Sequence, residues 1–585
     1  MLLEPTLEIR RVRLDDASRP AVGVPLEMEF DAKFNSSGQQ LRFSVGTQFD
    51  PQEGAHEPVR FVVEIRNSQG WLPIFEEVVP GATSQWFDRE VDLPAAAGPL
   101  HLRFKTRRVA AVDPKNRATD ASTDGSAYWG AVSVVDAEAD ERPNIILISL
   151  DTLGAAYLER YGGEPGTSPE IDRFLANSFE FSRGFSQYGA TLPAHSSLFT
   201  ALYPVHHGRY TMPLPAMESL VRHFARAGWF TLAYTENANV SSVFGFDDGF
   251  DHWDDGHAHG FDAFKNHGNL TTNRTIDWLD REGRSMRFFL FLHTYEVHSP
   301  YIPAAGEPLQ LANRITPNDK RVFDRDPRKM ASALLNHTNG SRPLSKRDIA
   351  RFRALHIGEI RSADQLLAKV LSKLEQLELD RDTLVIVTSD HGDQFGEQGH
   401  VGHGNSIHNK LLHVPLAFRW PGRIEKGSYD APVELVDLIP TVLELTGQRI
   451  PEGLNGRSLV GIIAGTEISD GTEAAFSEQQ YDSVECARWK GPGPCRIGRY
   501  SVQTRRFKYV SSEIPRFERF YDLSADPNEA RDVSSQYPAE VARHRALLAS
   551  NLEKPRVPPT DEAPMLDEEI DDATQHRLRA LGYVE

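Results

Sequence analysis

Two hydrophobic patterns divide this chain. Up to about residue 138, apolar and polar positions alternate in short stretches. Leu7 to Leu14 alternates with one break, and Val59 to Ile65 and Leu100 to Thr106 do so in the main. Gly, Pro and Asn separate these stretches, which predicts an antiparallel β-sandwich over residues 1–138. From 142 to about 465 the pattern changes. Asn144 to Leu150 and Thr383 to Ser389 are unbroken apolar, β-branched runs, the mark of strands buried on both faces. Helical spacing fills much of the sequence between them, and Ile360 to Leu377 predicts an amphipathic helix just ahead of the second run. Apolar strands alternating with helices predict a doubly wound α/β sheet. Residues 305–345 are polar without clear period and are expected to cover the mouth of a site at the sheet edge. Residues 466–530 predict a small antiparallel sheet, with Tyr500 to Thr504 paired to Phe507 to Val510. Residues 531–585 predict a charged helical tail with a break at Pro555 to Pro564.

Composition narrows the function classes only slightly. The chain has 585 residues, 40% hydrophobic and 25% charged, as in an ordinary globular protein long enough for several cores. A net charge of −19 argues against a nucleic-acid partner held by bulk electrostatics. It does not exclude an anionic substrate, because a bound metal ion would set the local field. No run approaches the roughly 20 apolar residues of a membrane span. The start lacks the basic and long apolar regions of a signal peptide, so the expectation is a soluble protein. It is cytoplasmic, or the numbering begins after a removed segment and the protein is periplasmic or secreted. The acidic stretch 136–143 reads as a linker. The two cysteines, Cys486 and Cys495, lie in one Gly- and Pro-rich loop, and sequence leaves open a disulfide or two thiols.

The chemistry sits at the ends of the two buried runs. The first ends in Asp151; the second ends in Asp390 and His391. Open α/β sheets bind ligands outside the carboxyl ends of their strands. Two strands that each deliver a carboxylate there, with an adjacent histidine, can hold one cation. Between them in sequence lies Gly189 to Thr200, which carries Thr191 and His195. A threonine hydroxyl is a poor nucleophile at neutral pH, and a divalent metal supplies the missing activation. Singly, each residue has an ordinary use: threonine as a turn or cap residue, aspartate as a helix cap, histidine as a structural group. The set points to an ester hydrolase.

These residues also carry a family resemblance. Leu147 to Leu153, Thr191 to His195 with Tyr203, Pro204 and Gly208, Gly245 to Asp251, His298 to Tyr301, Ser389 to Gly392, Gly402 to Gly404, Val414 to Leu416 and Tyr521 to Pro527 occur in family order. Together they resemble the sulfatase branch of the alkaline phosphatase superfamily. The resemblance implies a mixed, doubly wound sheet of the alkaline phosphatase/sulfatase type. It adds the N-terminal β-sandwich, loosely similar to carbohydrate-binding jelly rolls, and a small C-terminal α+β subdomain. The domain reading is 1–138, 142–465, 466–530 and 531–585. Tyr128 and Trp129 can stack on a sugar if exposed, or pack a core.

The departures from the family pattern redirect the chemistry. Familiar sulfatases carry Cys or Ser, converted to formylglycine, where this chain has Thr191, and Arg where it has His195. Direct use of threonine resembles nucleotide pyrophosphatase/phosphodiesterases and phosphoethanolamine transferases. It turns the expectation toward phosphate or phosphonate esters. Thr152 replaces a second aspartate, Gly154 stands where Arg is frequent, and His413 stands where Arg is frequent. His298 and His403 match histidine positions of two-metal relatives, but the accompanying aspartate falls near Thr294, with Glu296 the nearest carboxylate in sequence. The resemblance thus implies one divalent metal on Asp151, Thr191, Asp390 and His391, with room left for a second. A histidine among the ligands favours Zn or Mn. His195, His298 and His403 then steady the anion or protonate the leaving oxygen.

Four functions remain in view. The first is phosphate or phosphonate ester hydrolysis through a covalent Thr191 intermediate. The others are sulfate ester hydrolysis without formylglycine, transfer of the phospho group to an alcohol, and sugar binding by a protein with an inactive hydrolase domain. The expected partner is a small-molecule, glycan-linked or lipid-linked anionic ester.

Overall fold

The computed structural model describes residues 10–553 except 15–16, 24–26, 33–38, 49–57, 68–69, 82–84, 95–99, 109–126, 137–141, 211–216, 237, 256–267, 285, 318–326, 339, 470, 482–496 and 514–515. The chain divides into two compact units. One comprises residues 1–142 with 224–233 and 249–256; the other comprises 143–223, 234–248 and 257–585.

The first unit is an antiparallel sandwich. In one sheet Gln39–Thr47 lies between Trp86–Asp92 and Ala127–Asp136, which in turn pairs with Ala17–Gly23. His252–Asp254 extends this sheet by pairing with Ala17 and Ser18. The other sheet runs Glu27–Ala32, Leu100–Arg108, Val59–Asn67, Gly70–Val79. Alternation explains the core: Leu41, Phe43 and Val45 from one sheet meet Phe61, Val63 and Phe104 from the other. Trp129 sits at the centre, edge-on to Phe61 at 5.1 Å and Phe104 at 5.0 Å. Trp129 and Tyr128 are both buried, so the role open to them is core packing and not sugar stacking.

The second unit is built on a mixed sheet with parallel centre strands, matching the α/β expectation. Asn144–Leu150 is flanked in parallel by Phe288–Thr294 and Thr383–Thr388, and every residue of the three strands is buried. Leu416–Arg419 then adds antiparallel to Thr383–Thr388. The amphipathic helix is longer than its apolar stripe suggested. It runs Lys346–Gln376 and starts at a capping box between Ser345 and Asp348. The 305–345 stretch, read as irregular from sequence, contains helices Glu307–Ile315 and Pro327–Thr338. Pro308, Leu311 and Ala312 make a short apolar face on the first, too brief to show a period. The Arg351 guanidinium of the long helix ties its end down at Thr316 O, 2.6 Å away.

The C-terminal sheet is antiparallel in the order Ala475–Tyr481, Ile497–Gln503, Phe507–Glu513, Arg516–Asp522. The expected pair is present, with Val502 opposite Tyr509. Helix Pro538–Leu552 covers it through Val541 and Leu548. Cys486, Cys495 and most of the acidic linker lie outside the described residues. Among the described residues, no helix is long and apolar enough to cross a membrane.

Candidate active site

Strand register brings the two carboxylates together. Ser149 pairs with Thr388 and with His293, so the ends of three parallel strands line up. Asp151 and Asp390 emerge side by side at that edge, both fully buried. One donor atom from each of Asp151, Asp390 and His391 falls within 4.8 Å of the others. The Nδ1–H of His391 donates to Gly392 O at 3.0 Å, which leaves Nε2 as the bare nitrogen. Asp390 Oδ1 accepts the backbone N–H groups of Thr152 and His391, at 3.2 and 2.9 Å. Asp390 Oδ2 is buried and accepts no hydrogen bond from the described residues.

Thr152, where relatives carry a second aspartate, turns away from this cluster. Its hydroxyl donates to Asp151 O at 2.7 Å. Its φ of 59° is strained for a β-branched residue and is what aims its N–H at Asp390. Gly154 is tightly packed. A Cβ there would meet Lys410 O at 3.0 Å, and one at Gly392 would meet the same oxygen at 2.4 Å. Three backbones therefore close the back of the site. His413 lies beyond them, donating to Ser182 O at 2.9 Å.

Thr191 is the first residue of helix Thr191–Thr200, which is buried along its whole length. Its Oγ1 stands 3.3 Å from His391 Nε2 and 3.4 Å from Asp151 Oδ2. The helix N-terminus thus faces the carboxylate cluster, where its unpaired N–H groups favour negative charge. His195 is one turn along. Its Nδ1 lies 3.0 Å from Thr191 O and its Nε2 3.1 Å from Ser149 Oγ. Burial pushes its pKa down to about 3, so it is neutral near pH 7. Both nitrogens are engaged, which is a poor position for donating a proton to substrate.

His298 and His403 do meet, Nε2 to Nε2 at 3.2 Å. The His403 ring centre is 4.7 Å from that of His391. His298 Nδ1 faces Ser299 O at 2.5 Å, and its Nε2 lies 2.6 Å from Tyr295 Oη. The structure therefore gathers Asp151, Thr191, Asp390, His391, His195, His298 and His403 into one neighbourhood.

Three residues of this neighbourhood escaped sequence reasoning. His293 Nε2 stands 3.0 Å from Asp151 Oδ2, and burial pushes its pKa down to about 4, so the neutral ring donates. Its position at the end of an apolar run was the available signal. Glu236, from the segment 234–248, accepts Tyr295 N–H at 2.9 Å and the Thr294 hydroxyl at 3.4 Å. The carboxylate beside Thr294 is thus Glu236, supplied from another part of the chain. Burial pushes its carboxyl up to about 7. Asp393 is the third, fully buried, with Oδ1 2.7 Å from His403 Nδ1.

The donor set suits a divalent cation. Two buried carboxylates face each other with neutral imidazoles around them, and one carboxylate oxygen has no donor. Asp151, Asp390 and His391 would hold the ion, with Thr191 beside it. Among the described residues no second group of three such ligands lies this close.

The sulfatase family model matches residues 143–448. The chain belongs to the sulfatase family. A second model, for the C-terminal part of N-sulphoglucosamine sulphohydrolase, matches 396–556. Arylsulfatase K of Gallus gallus is 25% identical over 319 residues, covering 49% of this chain and 56% of that protein. The multifunctional alkaline phosphatase superfamily protein PehA of Trinickia caryophylli is 28% identical over 301 residues, covering 46% and 56%. The chain thus spans little more than half the length of these curated relatives. Among solved structures, the phosphonate monoester hydrolase of Agrobacterium radiobacter superposes with a TM-score of 0.56 at 22% identity, over 70% of this chain and 95% of its own. A protein solved with its substrate D-glucosamine-2-N,6-O-disulfate gives 0.57 at 18%, over 73% and 100%. Both share the fold of this chain.

Proposed function

We propose that this chain is a metal-dependent hydrolase of phosphate or phosphonate esters that works through a covalent Thr191 intermediate. The observation that carries the reading is the Thr191 hydroxyl at the head of a buried helix, 3.3 Å from His391 and 3.4 Å from Asp151. In this reading one divalent ion bound by Asp151, Asp390 and His391 lowers the cost of the Thr191 alkoxide and of charge on the ester oxygens. The Thr191 oxygen attacks the phosphorus in line with the leaving oxygen. The helix N-terminus and His298 steady the anionic group, and His403 gives its Nε2 proton to the leaving oxygen. His195 ties Thr191 O to the Ser149 hydroxyl and so holds the head of the helix against the strand end. Water then releases the phospho group from Thr191.

Sulfate ester hydrolysis is the second reading, favoured by family membership and by the sulfated sugar of one structural neighbour. A plain alkoxide lacks the second hydroxyl with which formylglycine expels sulfate, and that weighs toward phosphorus. The phosphonate monoester hydrolase neighbour is in keeping with this. The intact ligand set weighs against an inactive domain. A panel of aryl phosphate, phosphodiester, phosphonate and sulfate esters, assayed with metal analysis, tests the reading. Phosphonate or phosphodiester turnover above sulfate turnover is expected; a clear preference for sulfate would overturn it.

A further inference from the structure

The proposed chemistry leaves Asp393 without a part. Asp393 follows His391 by two positions, but its surroundings are distinct. Gln394–Phe395 pairs antiparallel with Val401–Gly402, with Gln394 opposite Gly402. Continuing that register by one residue sets Asp393 across from His403. The side chains meet there: Asp393 Oδ1 is 2.7 Å from His403 Nδ1. Asp393 Oδ2 accepts the Tyr301 hydroxyl at 2.9 Å. Tyr301 is buried and stacked on the buried ring of His356, at 5.6 Å and 23°. The carboxylate is therefore gripped on both oxygens and cannot rotate away from His403.

We propose that Asp393 is a positioning residue for His403. A carboxylate only accepts hydrogen bonds, so His403 Nδ1 must carry a proton. That fixes the ring orientation and sets Nε2 3.2 Å from His298 Nε2. With Nδ1–H held by Asp393, the proton on Nε2 is the one left to reach substrate. His298 is built differently, since its Nδ1 faces a backbone carbonyl and its Nε2 is engaged by a phenol. The carboxylate partner thus marks His403, and not His298, as the proton donor. In the step, the His403 Nε2 proton passes to the leaving oxygen as its bond to phosphorus breaks. Thr191 attacks as its alkoxide, its hydroxyl proton having been released to solvent beforehand; the Thr191 oxygen–phosphorus bond forms, and Asp393 neither gains nor loses a proton.

This assignment rests on the proposed hydrolase reading, and its test separates the two. The metal-loaded protein and its Asp393→Asn and Tyr301→Phe variants are assayed on one ester series, from nitrophenyl to alkyl leaving groups. Asp393→Asn is expected to lower kcat about 100-fold for alkyl esters and under about 5-fold for nitrophenyl esters, with KM, metal content and melting temperature retained. Tyr301→Phe should show the same tilt at smaller size. In a His403→Ala background, Asp393→Asn should add no further loss. Losses equal across the series, or additive with His403→Ala, overturn the assignment. The nitrogen resonances of His403 give a readout independent of turnover. A protonated Nδ1 in the metal-loaded protein supports the pairing, and a bare Nδ1 overturns it. Failure of the parent protein on every ester would instead remove the hydrolase reading.

Discussion

Buried carboxylates in the α/β unit follow two opposite designs. Glu529 is almost completely buried, with Lys508 Nζ 2.6 Å away. It also accepts His408 Nδ1 at 3.1 Å and Asn409 N–H at 2.8 Å. Burial alone would raise its pKa, but Lys508 and His408 hold it down to about 2. Asp151 and Asp390 are buried as deeply, yet they face each other and two neutral histidines. The first cluster balances its own charge and holds the 407–409 loop against the C-terminal sheet through Lys508 contacts at Ile407 O and Asn409 Oδ1. The second brings two carboxylates and His391 within 4.8 Å of one another, a group that could hold a metal ion. At Glu236 burial raises the pKa to about 7.

Thr191→Ala should break the chemistry without touching the charge pattern. Turnover is expected to fall by about 10⁴-fold or more while metal content survives, because the neutral hydroxyl adds little to affinity. Near-parental turnover in that variant would mean another nucleophile. Glu529→Gln should do the reverse. Leaving Lys508 buried and unpaired should cost about 3–5 kcal/mol in denaturant unfolding, with turnover of the folded fraction little changed. Loss of metal from that variant would show that the two clusters are not separate.

Glu236 provides a pH test. Its folded pKa lies above the unfolded value of about 4.3, so the folded state binds more protons between about pH 4 and pH 7. Its contribution to stability is therefore full below that window and falls as pH rises through it. Glu236→Gln should gain up to roughly 3 kcal/mol over the parent at pH 8 and nothing at pH 4. A gain that does not change with pH would refute the protonated state. The smallest effect concerns the metal-free protein. Asp390→Asn removes one of two facing carboxylates and should raise stability there by about 1–2 kcal/mol, while lowering it in the presence of metal. The same sign under both conditions would mean that the cluster holds no cation.

How much was legible beforehand differs residue by residue. Asp151 and Asp390 stand at the ends of strands whose apolar runs are unbroken, so composition alone located them. Thr191, His298 and His403 were legible through motif order. Asp393 was hidden in the motif around His391, since only the hairpin register sets it opposite His403. Glu236 was hidden further, because its partners Thr294 and Tyr295 lie about sixty residues along the chain. Helix Glu307–Ile315 was missed because a three-residue apolar face is too short to reveal its period.

Sequence by itself determined which residues are candidates for the chemistry and which strands are buried, because hydrophobic period and side-chain type are local properties of the chain. It also determined the family, through the order of its motifs. Tertiary structure alone decided the partners. It brought Glu236 to Thr294 and His293 to Asp151, closed the space at Gly154 and gave His403 its carboxylate. Those depend on strand register and on the approach of segments distant in sequence, and such distances are written only in the packed fold.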